Sequence, residues 1–235
     1  MINPVIPFSI KGILWYQGES NVSYAGEYYH LFSHLIKGWR EKWNNKNLPF
    51  YFVQIAPFNY SKMDAAALLR EAQYKVMQTI PNTGMAVTID VGEMKDQHFI
   101  RKKEVGERLA LMALANDYGN KKIVFKGPEL KKVIRENGKL VLEFEPSPAA
   151  LKVGGDTLKG FEIGYRLAST DSIVFTKAQA KLQGRNVIVW CDAIKEPVEV
   201  RYAWLLAGEA NLFNSEGLPA FPSRQKIEEK NSGGK

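Results

Sequence analysis

The chain has 235 residues, 45% hydrophobic and 24% charged, with a net charge of +7. That length suits one large domain or two modest ones, each with its own core, and with no run of about eighteen apolar residues it offers no transmembrane helix. The basic residues are scattered through "KGWREKWNNK", "RKKEVGER" and "NKKIVFKGPELKKVIREN" and interrupted by acids, so they read as a solvated surface, and neither a nucleic acid nor a membrane is expected as a partner. The single cysteine, Cys191, excludes an intramolecular disulfide and a Cys-rich zinc site; inside "VIVWCDAI" it reads as a small core residue. The opening "MINPVIPFSIKG" has no basic stretch and no long apolar core, so it does not read as a signal peptide.

Taken in order, the segments up to about Gly119 alternate between strand and helix. "GILWYQG" is a short apolar strand. In "SYAGEYYHLFSHLIKGWREKW", Tyr28, Leu31, Phe32, Leu35, Ile36 and Trp39 form one helical stripe. "PFYFVQIAPF" is a second strand between prolines. "DAAALLREAQYKVMQTI" is a second helix, with Asp64 as its N-cap and Pro81 past its end. "GMAVTIDVGE" is a third strand, and "RKKEVGERLALMALANDYG" a third helix closed by Gly119. This alternation predicts an α/β layer on a mainly parallel sheet.

Beyond Gly119 the pattern changes to short strands: "KKIVFKG", "KKVIREN", "GKLVLEFEP", "GFEIGYRLA", "DSIVFTKAQAKLQ", "RNVIVWCDA" and "PVEVRYAWL". Turn signals such as Asn137-Gly138 and Gly154-Gly155 separate them, as in a β-sandwich or an appended sheet. The expected organisation is therefore an α/β part over residues 1–119, a β-rich domain over 120–225 and a disordered polar tail over 226–235.

Ligands of parallel α/β sheets bind outside the carboxyl ends of the strands. There the first strand ends in Gln17-Gly18-Glu19, the second near Gln54, and the third at Asp90 followed by "VGEMKDQHF". His98, in the loop before the third helix and beside Asp96, is placed to act as a general base. His30 and His34, four apart on the first helix, have metal-ligand spacing, but no third ligand is nearby, so a structural or surface role is expected.

The blocks "IKGILWYQGESN", "WREKW", "LPFYFVQIAPF", "LREAQ", "TIDVGEMKDQHFIRKKEVGERLAL" and "VRYAWLLAGEANLFNSEGLPAFP" together resemble the sialate O-acetylesterase family, carbohydrate esterases with the SGNH (GDSL-like) hydrolase fold. The resemblance runs from about Met1 to Arg224. It implies a partial SGNH parallel sheet with helices followed by the sandwich-like domain. It also implies a serine esterase, without metal or cofactor, that removes acetyl groups from O-acetylated sialic acids or related sugars. The family's Trp-x-Gln-Gly-Glu block falls on Trp15, Gln17, Gly18 and Glu19. Gln17 would then donate to the oxyanion, an interaction that lowers a barrier by about 2.7–4 kcal/mol. The family's histidine block falls on Asp96-Gln97-His98-Phe99, with Phe99 where the family has proline. His98 would relay the serine proton. Asp96 is the nearest carboxylate to orient it, but related enzymes place that Asp three residues before the His, where this chain has Lys95, so Glu19 and Asp90 stay open as the third member. Arg70 in "LREAQ" would meet a substrate carboxylate, or else pair with Glu71 or Asp64 on the helix surface. Asn211 and Asn214 fall in a family-like loop, with a turn role expected. Trp15, Tyr16, Trp190, Tyr202 and Trp204 could stack on sugars or fill cores. The family includes exported and lysosomal members, but no such address is written in this chain.

The family's Gly-Gln-Ser-Asn nucleophile block has no match in these 235 residues. Ser20 is the one serine beside the cluster, and it lacks a Gly-x-Ser-x-Gly elbow. The first residues resemble an internal stretch of the family, as a truncated reading frame would give. The expectation is a strand "GILWYQG" with an exposed apolar edge, leading to marginal stability, self-association or pairing with a separately encoded N-terminal piece. The competing expectation is a non-catalytic, carbohydrate-binding or structural remnant.

Overall fold

The computed structural model of the chain describes residues 2–61, 63–145, 149–205 and 207–227. It divides into two units, Met1–Lys126 and Gly127–Lys235. The expected tail, apart from its first two residues, lies outside the described residues.

In the first unit, β1 (Ile13–Trp15), β2 (Phe50–Val53) and β3 (Thr83–Ala86) form a parallel sheet in the order β1-β2-β3. α1 (Ala25–Lys42) and α2 (Met63–Thr79) make the crossovers and pack against each other. Two crossovers stepping in the same direction across a sheet, each right-handed, place both helices on one face. α3 (Lys102–Asn116) packs against β2 and β3. β2 is buried along its whole length, as a strand covered on both faces must be. Its side chains alternate between two cores. Phe50 and Phe52 meet Phe32 of α1 with ring centroids 5.8 and 4.9 Å apart. Tyr51 and Val53 join Val105, Leu109 and Met112 of α3, with Phe125 packed alongside. The Tyr51 hydroxyl donates to Asp117 Oδ2 at 2.6 Å and pins the end of α3 to β2.

Three expectations change here. The buried stripe of α1 is narrower than its sequence suggests: Tyr28, Phe32 and Ile36 are buried, Leu35 and Trp39 are half-buried, and Leu31 is exposed. Asp64 lies inside the first turn of α2 rather than capping it, because the helix begins at Met63. "KKIVFKG" forms no strand; its Phe125 packs into the α3 core. β1 is an edge strand. Trp15 stacks on Phe32, Trp39 and Phe50, while Leu14 on the opposite face is 63% exposed.

The second unit is antiparallel. β4 (Leu130–Glu136), β5 (Lys139–Phe144), β10 (Asn186–Trp190) and β9 (Gln179–Gln183) form one four-stranded sheet in that order. β13 (Ser223–Lys226), β11 (Glu199–Tyr202), β7 (Phe161–Arg166) and β8 (Ile173–Lys177) form a second. β6 (Leu151–Val153) pairs with β12 (Leu212–Asn214). Asn137 and Gly138, at φ 50° and 73°, make the two-residue turn joining β4 to β5, a conformation that Asn-Gly adopts at low cost. Leu140 and Leu142 are fully buried while Lys139 is exposed and Val141 and Glu143 are half-buried, the period-two signature of a one-sided strand. The segment "DSIVFTKAQAKLQ" is two strands in two different sheets, separated at Ala178. β6, β12 and β13 had no sequence signal, being three or four residues long, with β13 wholly polar. Cys191 is half-buried just past β10 rather than in the core.

Candidate active site

Because all three strands of the first sheet are parallel, their carboxyl ends share one edge. β1 runs out at Trp15, and the chain turns through Gly18 into a 3-10 helix over Glu19–Tyr24. Gly18 is required by closeness: a Cβ there would lie 2.8 Å from Ile55 Cγ2 and 3.2 Å from Gln73 Nε2. Gln73 itself accepts from the Ile55 N–H at 2.9 Å and donates to the Val53 carbonyl at 3.2 Å, so α2 is tied to the end of β2. The Tyr28 hydroxyl donates to the Gln17 carbonyl at 3.1 Å and fixes the backbone that carries the amide. Burial raises the Tyr28 pKa to about 12, which keeps that hydroxyl a donor.

The loop after β3 delivers His98. Its anchor is the next residue: Phe99 is 1% exposed and packs with Val91 and Val105. A buried apolar ring thus holds the place that the family pattern gives to proline. Asp96 Oδ1 accepts from the backbone N–H of His98 at 2.7 Å. That bond shapes the loop; among the described residues no hydrogen bond joins the Asp96 carboxylate to the imidazole.

An open cavity of about 360 Å³ is lined by Tyr16, Gln17, Glu19, Ser20, Gln97, His98 and Lys102. Gln17 and Glu19 from the tip of β1 therefore share one space with His98, some eighty residues later in the chain. Of the three carboxylates considered for orienting His98, only Glu19 lines this cavity. Asp90 is committed elsewhere. Arg108 grips both its oxygens, Nη1 to Oδ1 at 2.7 Å and Nη2 to Oδ2 at 2.6 Å, and also donates to the Val87 carbonyl. This fork fixes the start of the His98 loop to α3.

Tyr16 and Lys102 close one side of the cavity. Lys102 Nζ donates to the Tyr16 hydroxyl at 2.7 Å and lies 3.8 Å from the Phe99 ring centroid. Burial, with a smaller contribution from Glu19, raises the Tyr16 pKa to about 12. Tyr60 is likewise raised to about 12, mainly by burial and next by Glu19. Tyr16, Lys102 and Gln97 were not singled out for the site from sequence, although Tyr16 was considered as a sugar-stacking ring; the signal available was their adjacency to Gln17 and His98.

Gly18 and Arg70 are not among the residues that line the cavity. Arg70 is 2% exposed, its guanidinium pKa lowered by burial, and its carbonyl accepts from Gln54 Nε2 at 3.2 Å. Its burial takes it off the helix surface. His34 Nδ1 lies 2.7 Å from the His30 carbonyl, one helical turn back. Among the described residues no group of three or more His, Cys, Asp or Glu side chains could hold a metal. In the second unit, Asn211 and Asn214 serve turns. Asn211 Nδ2 donates to the Gly154 and Thr157 carbonyls, both at 2.8 Å, and Asn214 Oδ1 accepts from the N–H groups of Glu216 and Leu218 at 3.1 and 2.9 Å. Tyr202 and Trp204 are buried in that unit's core.

Residues 3–115 match the family model described as carbohydrate esterase, sialic acid-specific acetylesterase. The mouse sialate O-acetylesterase is 31% identical over 184 residues, covering 69% of this chain and 34% of the mouse protein. The human sialate O-acetylesterase is 34% identical over 152 residues, 57% of this chain and 29% of the human protein. The crystal structure of a carbohydrate acetylesterase from Xanthomonas citri superposes with a TM-score of 0.87 at 41% identity, covering 96% of this chain and 52% of that one. The chain belongs to the sialate O-acetylesterase family. It spans about a third of the length of the curated relatives it matches.

Proposed function

We propose that this chain carries the oxyanion donor and the general base of an O-acetyl ester hydrolase acting on O-acetylated sialic acids or related sugars. The observation that carries the reading is the shared cavity of Gln17 and His98 at the carboxyl edge of a parallel sheet. In the reaction a serine Oγ attacks the acetyl carbonyl while the His98 imidazole takes its proton. The Gln17 side-chain amide donates to the oxygen that becomes negative. His98 returns the proton to the departing sugar oxygen, and water then releases acetate from the acyl-serine by the same steps. Glu19 is the carboxylate positioned to hold the imidazolium, and Asp96 shapes the loop through the His98 N–H.

The nucleophile in this reading is a serine of a Gly-Gln-Ser-Asn segment, which does not occur in these 235 residues. Ser20 also lines the cavity, but it sits in the 3-10 helix after Gly18. Two measurements test the proposal. Supplied with the serine-bearing segment, the chain should hydrolyse an activated acetyl ester, and His98→Ala should reduce that rate about a hundredfold. A fluorophosphonate probe should leave Ser20 unlabelled; labelling there would make Ser20 the nucleophile. Binding of sialic acid with no turnover dependent on His98 would replace the esterase reading with that of a sugar-binding remnant.

A further inference from the structure

Lys102 is the one lysine or arginine among the described residues lining the cavity. Three contacts fix its ammonium group: the Tyr16 hydroxyl at 2.7 Å, the Tyr16 ring centroid at 4.7 Å and the Phe99 ring centroid at 3.8 Å. None of these partners is a carboxylate, and no ion pair involves Lys102 among the described residues. Its neighbours in the chain behave differently: Arg101 pairs with Glu104 at 2.7 Å and Lys103 with Glu107 at 3.6 Å. A lysine held by one phenol oxygen and two aromatic faces leaves ammonium N–H groups unused. It shares the cavity with His98 and is the first residue of α3, where the helix dipole adds to the positive potential. The other cation considered for substrate contact, Arg70, is buried and does not line the cavity. Glu19 is the carboxylate lining the same cavity, so the anionic end of a ligand is favoured at Lys102 and disfavoured at Glu19.

We propose that Lys102 is the specificity-determining residue that anchors the carboxylate of an acidic sugar, with Tyr16 setting the position of its ammonium group. The inference rests on the sugar-ester reading above and adds to it the charge class of the substrate. An acidic sugar would bind with its carboxylate on Lys102, which fixes the ring and presents its O-acetyl group to Gln17 and His98. Neutral acetylated sugars would enter the same cavity without that anchor.

The test compares binding of sialic acid with that of its methyl ester, which differs only in lacking the negative charge. The intact chain should bind the acid about tenfold more tightly than the ester, as one charge-assisted hydrogen bond requires. In Lys102→Gln the two ligands should bind equally, and Lys102→Arg should retain the preference. Tyr16→Phe should weaken the preference while leaving the charge in place. Equal binding of acid and ester by the unmodified chain, no binding of the acid, or an undiminished preference in Lys102→Gln would each overturn the proposal. Ester hydrolysis by His98, measured in parallel, separates the two claims. A preference lost in Lys102→Gln without turnover would leave the anion site standing and the esterase reading rejected; turnover without charge preference would do the reverse.

Discussion

The two units use their polar side chains in opposite ways. In the second unit Asn211, Asn214 and Tyr202 spend their hydrogen-bonding groups on backbone: Asn211 on Gly154 and Thr157, Asn214 on Glu216 and Leu218, and the Tyr202 hydroxyl on the Leu212 N–H at 2.9 Å. In the first unit Gln17, Glu19 and His98 face a cavity, and the bonds that fix them are made by neighbours: Tyr28 on the Gln17 carbonyl, Asp96 on the His98 N–H, and Arg108 on Asp90. An amide or carboxylate whose bonds are met inside the protein supports the fold. One whose backbone is fixed while its side chain stays open is available for chemistry.

Four experiments sharpen or break this contrast. The largest effect is expected from Asp90→Asn. It removes the charge from a bidentate pair whose two side chains are 9% and 11% exposed, and leaves Arg108 without its counter-ion. A loss of about 3–5 kcal/mol in denaturant unfolding is expected; a loss below 1 kcal/mol would mean that Asp90 is not the support described here. Next is Gln17→Ala. Stability should hardly change, because the amide is exposed, while ester turnover falls about 10²–10³-fold, or roughly 2.7–4 kcal/mol of barrier. Asn214→Ala should show the converse. Two N–H groups lose their acceptor at a fully buried site, so about 1–3 kcal/mol of stability should go while sugar binding by the first unit persists.

The smallest effect is spectroscopic. Tyr16, Tyr28 and Tyr60 are each raised to about 12 from an ordinary value near 10, chiefly by burial. A raised pKa means that the folded chain holds those protons more tightly than the unfolded chain. Their contribution to stability is complete below pH 10 and is lost as pH climbs toward 12. Absorbance at alkaline pH should show these phenols ionising after the exposed ones, together with a falling melting temperature. Ionisation of all ten tyrosines near pH 10 would contradict the packing around Gln17.

Much of the architecture was legible from local pattern. The helical spacing of "EYYHLFSHLIKGW", the proline-bounded run around Phe50–Val53 and the Asn137-Gly138 turn depend on forces acting over a few residues, and each appears at its expected place. Elements without such a pattern escaped. β13 has no apolar alternation, and Phe125 sits in a strand-like run whose side chain is taken by the α3 core. Leu31 reads as core from its period, yet the width of the α1 contact leaves it in solvent.

By itself, then, the sequence determined the parallel α/β layer, the antiparallel sheets that follow it, the family, and the polar tip of a strand at Gln17. Tertiary structure alone decided where the three candidate carboxylates lie. Glu19 lines the cavity of His98, Asp96 turns to the backbone and Asp90 is claimed by Arg108. Secondary structure follows from short-range sterics and periodicity, whereas a site depends on where side chains eighty residues apart come to point. That direction is fixed only when Phe99, Tyr28 and Arg108 lock their loops into the packed core.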